Sequence, residues 1–460
     1  MLGGSFFFGC CVALAEGGAS RPNVLFIAVD DLNDWIGCLG GHPQGRTPHI
    51  DRLARRGVLF SQAHCAAPLC NPSRTALLTG IRPSTSGVYG NRHDWRKALP
   101  DVLTLPRFFM KHGYHVVGCG KIFHGAFPDE GGWHSYLPKG PDLQPEGDDR
   151  GVGGIRFAPL DVTDAEMDDY RIVAHAREVL STRHEKPLFL ACGIFKPHMA
   201  WNVPRTYFQQ FTSEPILLPK VLESDLDDLP GLGRQLSRWD GDHKRMLKSG
   251  RWPEAVQAYL AASAFADAMV GLLIDALDAG PYADDTIVVL WGDHGWHLGE
   301  KKCWRKNTLW DEATRAPLLF VVPGMTRPSG VCSRPVDFMH IYPTLADLCG
   351  LPVPDHVEGR SVRALLENPA AAWPVPAITT QDYGNHAVRT ARWKYIQYHD
   401  GSEELYDHET DPMEWNNLAA DPGLADVRAE LAQWLPSTNV RPAAKTLGKA
   451  ASSPASKRGP

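Results

Sequence analysis

Short, wholly apolar runs alternate along this chain with stretches whose apolar residues recur at helical spacing. NVLFIAV (23–29) has no polar face and ends in two acids, Asp30 and Asp31, the pattern of a parallel strand buried on both sides. TPHIDRLARRGVLFSQAHC (47–65) follows, with Thr47 as helix N-cap, Pro48 at the first helical position, Gly57 as a stop and then a short strand. Cys70 begins the next turn, and SRTALLTG reads as a helix closed by Gly80. TLPRFFMKHGYHVVGCGKIFHG (104–125) repeats the order helix, glycine, strand, loop, and REVLSTRHEKPLFLACGIFKPH (177–198) repeats it again. The amphipathic stretch 253–280 leads into the strand DTIVVLWGDHG (285–295). This alternation, from residue 21 to about 350, predicts an α/β fold: a large, mostly parallel sheet with helices on both faces.

The pattern changes along the chain. Residues 126–165 are rich in Gly, Pro and Asp and read as a long surface insertion. From about 370 the chain reads as antiparallel strands (386–412) and a closing helix (LADVRAELAQWL, 424–435). The expected organisation is a lead-in of residues 1–20, a large domain 21–365, a small C-terminal α+β subdomain 366–440 with an antiparallel sheet, and a disordered tail 441–460. In the lead-in, an apolar stretch from Phe6 to Ala15 ends in Ala-Leu-Ala before Glu16, as a signal peptide does, which predicts export to a periplasm or the exterior. Lipoprotein anchoring through Cys10 is the weaker alternative, since Phe7-Phe8-Gly9 makes a poor lipid-attachment box. No later segment reads as a membrane span.

Composition narrows the function. Of 460 residues, 43% are hydrophobic and 22% charged, with a net charge of −6, which argues against a nucleic-acid binder. An anion site must therefore be built locally from a few placed cations. The ten cysteines include no C-x-x-C pair, so neither a zinc site nor a disulfide-stapled scaffold is indicated. Cys119 and Cys192 lie in apolar strands and read as core.

Ligands of open α/β sheets bind at the carboxyl ends of the strands. Here those ends carry Asp30 and Asp31, Lys121 and His124, Lys196 and His198, and Asp293 and His294, with Cys70 and Arg74 at a helix start and Lys306 on a following loop. The three aspartates supply oxygen ligands for a hard cation, Ca2+ or Mg2+, and His294 either joins them through nitrogen or stands just outside. A divalent ion with Arg74, Lys121 and Lys306, set against three carboxylates, leaves the site at about +2 and suited to an anionic substrate. A lysine ~4 Å from an anion is worth on the order of 4 kcal/mol at intermediate dielectric. His124 and His198 are proton-transfer candidates beside such a centre. His93, Trp95, Arg96, Trp296 and Lys196 are candidate substrate contacts, because aromatic faces offer stacking surfaces and cations grip anionic groups.

The run from Cys70 to Gly80 matches C-x-P-S-R-x(4)-T-G in full. With the strand-end residues it resembles the type I sulfatase family of the alkaline-phosphatase-like superfamily. GKIFHG, FKPHMAWNVP and GDHGWHLGEKKCWRKN are most similar to iduronate-2-sulfatases. The resemblance runs from about residue 21 to 435 and implies a sulfuric ester hydrolase acting on a sulfated carbohydrate such as a glycosaminoglycan fragment. It also implies that Cys70 is converted by a formylglycine-generating enzyme to formylglycine. One hydroxyl of the hydrate takes the sulfuryl group, and loss of the other's proton expels sulfate, which a serine could not do. The resemblance assigns Asp30, Asp31, Asp293, His294 and residue 70 to the metal. Arg74 and Lys121 fall near the hydrate and sulfate, Lys306 on the sulfate oxygens, His198 as leaving-group acid and His124 as base. His294 departs from the asparagine of many sulfatases and matches the iduronate-2-sulfatase-like branch. The rival readings are a phosphatase or phosphonate monoesterase on the same scaffold, and an arylsulfatase with a non-sugar substrate.

Overall fold

The computed structural model describes residues 21–145, 151–238 and 241–446. The expected export signal and the expected tail beyond residue 446 lie outside the described residues. Eight segments build one sheet: β1 (Asn23–Val29), β2 (Val58–Phe60), β3 (His115–Gly120), β4 (Ser135–Pro138), β5 (Leu188–Ile194), β6 (Thr286–Gly292), β7 (Leu318–Val321) and β8 (Gly330–Cys332). Their order is β8-β2-β7-β6-β1-β5-β3-β4. β1 lies between β5 and β6, parallel to both, and β3 continues the parallel set. Only β7 is reversed against both its neighbours, β6 and β2. After β6 the chain loops across the carboxyl edge and re-enters the sheet from that edge, with Gly292 N donating to Pro317 O at 3.0 Å, so the next strand must run backwards.

The period of two decides what each face of the sheet carries. Leu25, Ile27 and Val29 enter one apolar cluster, where they meet α1 (Pro48–Ala54), α4 (Asp168–Ser181) and α5 (Trp252–Ala279). Val24, Phe26 and Ala28 enter the other, against α2 (Cys70–Thr79), α3 (Leu105–Lys111) and α6 (Ile341–Leu348). Cys119 and Cys192 pair across β3 and β5 inside this packing, and the described cysteines are all unbridged. By length and composition α5 is apolar enough to cross a membrane, which corrects the sequence expectation. Its most apolar window is 78% buried inside the protein, so it is a core helix, packed beside α4 and α1.

Three further local expectations are corrected. Thr47 does not cap α1 with its side chain; its hydroxyl accepts from Gly37 N at 2.8 Å. The open amides of His49 and Ile50 are instead taken by Asp267 of α5, at 3.1 and 2.7 Å, so the cap comes from a packed neighbour. The segment 126–165 is no loose insertion, since it adds β4 to the sheet edge and pairs Phe157–Leu160 with Trp201–Pro204. The first residues of the expected disordered tail are held in place: after Val440 on Ser84, Ala443 and Thr446 donate backbone hydrogen bonds of 2.8 Å to Gly87 and Arg92.

The C-terminal unit is a four-stranded antiparallel sheet, β9 (Ala377–Thr380), β10 (His386–Arg389), β11 (Trp393–Gln397) and β12 (Glu403–Asp407), in that order. α7 (Ala425–Ala432) covers one face through Leu431 on Val388, Tyr395 and Leu405. The other face packs Ile396, Tyr398 and Tyr406 on Leu309 and Trp310, which belong to the loop after β6. Polar links reinforce this seam. Lys394, 1% exposed, lies 2.6 Å from Asp311 and 3.3 Å from Glu414, and Trp310 Nε1 donates to Glu404 at 2.8 Å. Removing one partner of a buried charge set leaves uncompensated charge, at a cost of about 3–5 kcal/mol. Lys394→Met is therefore expected to lower the unfolding free energy from urea titration by an amount in that range, whereas Lys394→Arg loses less; equal midpoints for Lys394→Met and wild type would contradict the seam.

Candidate active site

The carboxyl edge of the sheet brings the strand-end residues into one hollow. β1 delivers Asp30 and Asp31, β6 delivers Asp293 and His294, and α2 begins at Cys70; all are 0–1% exposed. β3 and β5 deliver Lys121 and His198, and they approach closely because Gly120 and Gly193 carry no side chain. A Cβ on Gly120 (φ +75°) would stand 1.9 Å from Gly193 O. Asp31 itself has φ +58°, a strained conformation for a residue with a Cβ. It is held by the Tyr259 hydroxyl of α5, which donates to Asp31 O and accepts from Asn33 N, both at 2.9 Å. Asp31 N donates to Asp293 Oδ1 at 2.9 Å, which joins the two strand ends directly.

Arg74, fully buried one turn into α2, ties this edge together. Its Nε donates to Asp293 Oδ2 at 2.8 Å and its Nη2 to Asp30 Oδ1 at 2.9 Å, while Nη1 reaches the carbonyls of Lys121 and Ile122. Burial works against the charge, but Asp293 and Asp30 outweigh it and hold the guanidinium firmly protonated. Its donors face carboxylates and carbonyls, so it joins the strand-end acids to one another beside Cys70. Ser73, which the sequence reading passed over, donates to Asp293 O at 2.5 Å. Lys121 pairs with Asp30 Oδ2.

Lys306 arrives on a loop in which Lys301, Lys302, Arg305 and Asn307 all have positive φ, between +50° and +77°. Its ammonium lies 2.5 Å from Asp31 Oδ1 and 3.0 Å from Cys70 Sγ. Burial, against the pull of Lys121 and Lys306, raises the Cys70 thiol to about 12, so it is neutral here. Burial opposes the charge of Asp31 too, yet its carboxyl is held far below the usual range, with His198, Lys306 and His294 around it and the Lys306 ammonium the fixed positive charge among them. Three aspartates thus face three cations, and the hollow is balanced.

His294 Nδ1 donates to Gly295 O at 2.9 Å, which leaves the Nε2 lone pair facing inward. Nε2 lies 3.4 Å from Cys70 Sγ, 3.3 Å from Asp31 Oδ1 and 3.6 Å from Asp293 Oδ1. One ligand atom from each of Asp31, Cys70, Asp293 and His294 falls within 4.8 Å of the others, and Asp31 Oδ2 is buried without a hydrogen-bond partner. These donors fit a hard divalent cation. Asp30 belongs to a second group with Asp31 and His198, both its oxygens already held by Arg74 and Lys121.

His198 donates from Nδ1 to Met199 O at 2.7 Å, so its Nε2, 3.9 Å from Asp31 Oδ2, is the atom free to exchange a proton. Burial keeps it well below its usual value, and a neighbouring anion would raise it. For His124, burial first, then Lys121, Arg74 and Lys306, push the ring to about 3, so it is neutral here.

The expected substrate contacts are not brought to this hollow. Trp95 is core: it stacks on Phe123 at 5.0 Å and donates to Phe127 O at 2.8 Å. Arg96 is paired to Asp94 on its own short helix, and His93 Nδ1 accepts from Tyr89 N at 3.0 Å. Trp296, 3% exposed, packs on Trp201 beneath the Lys306 ammonium. Lys196 is 2% exposed and donates to Ala200 O at 2.6 Å, which makes it structural. Trp95, His93, Trp296 and Lys196 are motif neighbours whose side chains are buried, and Arg96 is turned onto Asp94. Tyr259 and Phe195, which do border the site, carried no signal because they sit in runs that read as plain core.

Residues 22–351 match the Sulfatase family model, and residues 299–441 match the model for the N-sulphoglucosamine sulphohydrolase C-terminal region. A "Sulfatase" of Formosa agariphila is 38% identical over 442 residues, covering 91% of this chain and 87% of that protein. The iduronate 2-sulfatase of Mus musculus is 31% identical over 416 residues, covering 77% and 73%. A solved structure described as a 2-O GAG sulfatase superposes with a TM-score of 0.71 at 26% identity, over 90% of this chain and 91% of that one. The chain belongs to the sulfatase family and is a sulfuric ester hydrolase of alkaline-phosphatase-like fold.

Arg74→Lys keeps the charge but not the planar fork. Loss of two buried charge-assisted bonds is expected to cost about 3 kcal/mol or more in chemical denaturation and to reduce aryl sulfate turnover by about 100-fold, equivalent to ~2.7 kcal/mol. Full activity in the lysine variant would remove Arg74 from its place at the centre.

Proposed function

We propose that this sulfatase removes sulfate from a sulfated sugar, with a 2-O-sulfated hexuronate at a chain end as the preferred class, by means of formylglycine at position 70 and one divalent cation, Ca2+ or Mg2+, after export from the cytoplasm. The observation that carries the reading is the buried quartet Asp31, Cys70, Asp293 and His294, ringed by Lys121, Lys306 and Arg74. The likeness to iduronate 2-sulfatase and to a 2-O GAG sulfatase supports the sugar class.

Asp31, Asp293, His294 and residue 70 would hold the cation, with Asp30 behind them, and the cation would supply positive charge and Lewis acidity at the ester. The Cys70 sulfur marks where formylglycine would place its oxygens, and its hydrate supplies a nucleophile that can later release what it has bound. Everything else falls to the chain's own groups. Lys306 and Lys121 neutralise the sulfate oxygens as charge builds on them. His198, its Nδ1 fixed on Met199 O, delivers a proton from Nε2 to the departing sugar oxygen. His124, held neutral by burial and three cations, takes the proton whose loss lets sulfate leave. A divalent ion added to three balanced ion pairs leaves an excess of about +2, which draws in an anionic ester.

Two experiments test this. Mass spectrometry of the peptide carrying residue 70 should show the mass change from a CH2SH group to an aldehyde, and Cys70→Ala should abolish sulfate release from a 2-O-sulfated uronate disaccharide while the fold persists. An unmodified cysteine in fully active enzyme would overturn the formylglycine assignment. Dialysis against a chelator should lower the thermal midpoint, Ca2+ or Mg2+ should restore it, and Asp293→Asn should remove the metal-dependent rise. A midpoint indifferent to metal in the wild type would exclude the cation site.

A further inference from the structure

A cavity of about 630 Å3 opens beside the catalytic groups. Lys121, His124 and His198 line its inner end. Its walls are aromatic, with Phe123, Trp133 and Phe195 among them, and Lys139 stands in the lining too. The mechanism uses nothing of this outer part. Yet the Phe195 ring is bordered by cations, with the Lys139 ammonium 3.9 Å from its centroid and that of Lys121 at 5.3 Å. Both ammoniums therefore lie within about 9 Å of each other around one ring. Lys196 also borders it, at 5.5 Å, but is buried and tied to Ala200 O.

Lys139 is not tied in that way. Its side chain is 21% exposed, and it gives one hydrogen bond to Gly140 O at 2.8 Å. Asp142 Oδ1, its nearest carboxylate oxygen, is 3.5 Å away and Asp142 Oδ2 is 3.6 Å from Lys196, so two ammoniums share one carboxylate. An ammonium has three donors, so Lys139 keeps capacity for an anion. The cavity thus has one cationic end at the catalytic lysines, an aromatic wall at Phe123 and Trp133, and a second cation seated on the Phe195 ring. A ligand that satisfies all three has a sulfate, an apolar ring face, and a second anionic group on the far side of the same ring.

We infer that Lys139 is a specificity-determining residue that holds the carboxylate of a hexuronate while the sugar ring lies along the aromatic wall of Phe123 and Trp133 and the sulfate enters the catalytic hollow. The inference rests on the sugar reading above and adds the group that separates uronates from neutral hexoses. Lys139 contacts no reacting atom, so its effect belongs to KM and not to kcat.

The test uses formylglycine-bearing enzyme and three substrates: a disaccharide ending in a 2-O-sulfated uronate, its carboxyl-reduced counterpart, and an aryl sulfate. Lys139→Met is expected to lower kcat/KM on the uronate about tenfold, through KM, the size of one good charged contact, and Lys139→Arg to recover most of it. On the other two substrates Lys139→Met should stay within about twofold of wild type. Equal losses on all three would mean a structural role, and no loss on the uronate would mean no contact; either overturns the inference while leaving the sugar reading intact. Wild-type enzyme that cleaves the aryl ester but neither disaccharide would instead refute the sugar reading, and this inference with it.

Discussion

Three carboxylates at the carboxyl edge of a dry sheet must be balanced by cations from other parts of the chain, and that constraint organises the molecule. Asp30, Asp31 and Asp293 have lost their water, and an unpaired charge there would cost several kcal/mol. Arg74 answers two of them with one planar group, which requires α2 to start at the strand ends and to be buried along its whole length. Polar residues of that helix then need partners of their own: Asn71 reaches the carbonyls of Gly90 and His93, and Thr79 bonds back to Thr75. The close approach of β3 and β5 at Gly120 and Gly193 follows from the same need, since it carries the Lys121 and Ile122 carbonyls to the guanidinium.

Periodicity made the frame legible. NVLFIAV is buried on both faces because alternate residues feed both apolar layers, and the helix read from Ser73 onward is present but starts three residues earlier, at Cys70. The strand-end acids, lysines and histidines converge because parallel strands end on one edge. What could not be read is the direction a side chain takes once a turn is made. Trp95 and Trp296 lie close in sequence to the signature and to the metal pair, yet both are packed inside. Asp31 looked like any acid after a strand, and only the backbone reveals its left-handed conformation and the Tyr259 hydroxyl that holds it. Thr47 had the right residue type for a cap, but Asp267, distant in sequence, takes the amides. Such errors share a cause, because tertiary partners outbid local preference where the sequence records only the preference.

The loop between β6 and β7 belongs to both halves of the protein. It carries Lys306 into the hollow and, a few residues on, Trp310 and Asp311 onto the C-terminal sheet. Lys301, buried within it, anchors on Asp225 and on the carbonyl of Glu414. The four left-handed residues around Lys306 are strained positions that only a well-anchored loop retains. The small sheet is thereby a clamp on an active-site lysine.

The Cys70 thiol fits its niche without clash, 1% exposed and uncharged, with Lys306 and His294 as neighbours. Nothing in the packing distinguishes a mature chain from one that has never met its converting enzyme. Under the proposed chemistry, a homogeneous, cooperatively folded batch can therefore harbour an inert fraction, and its specific activity measures stoichiometry of maturation before it measures the catalyst.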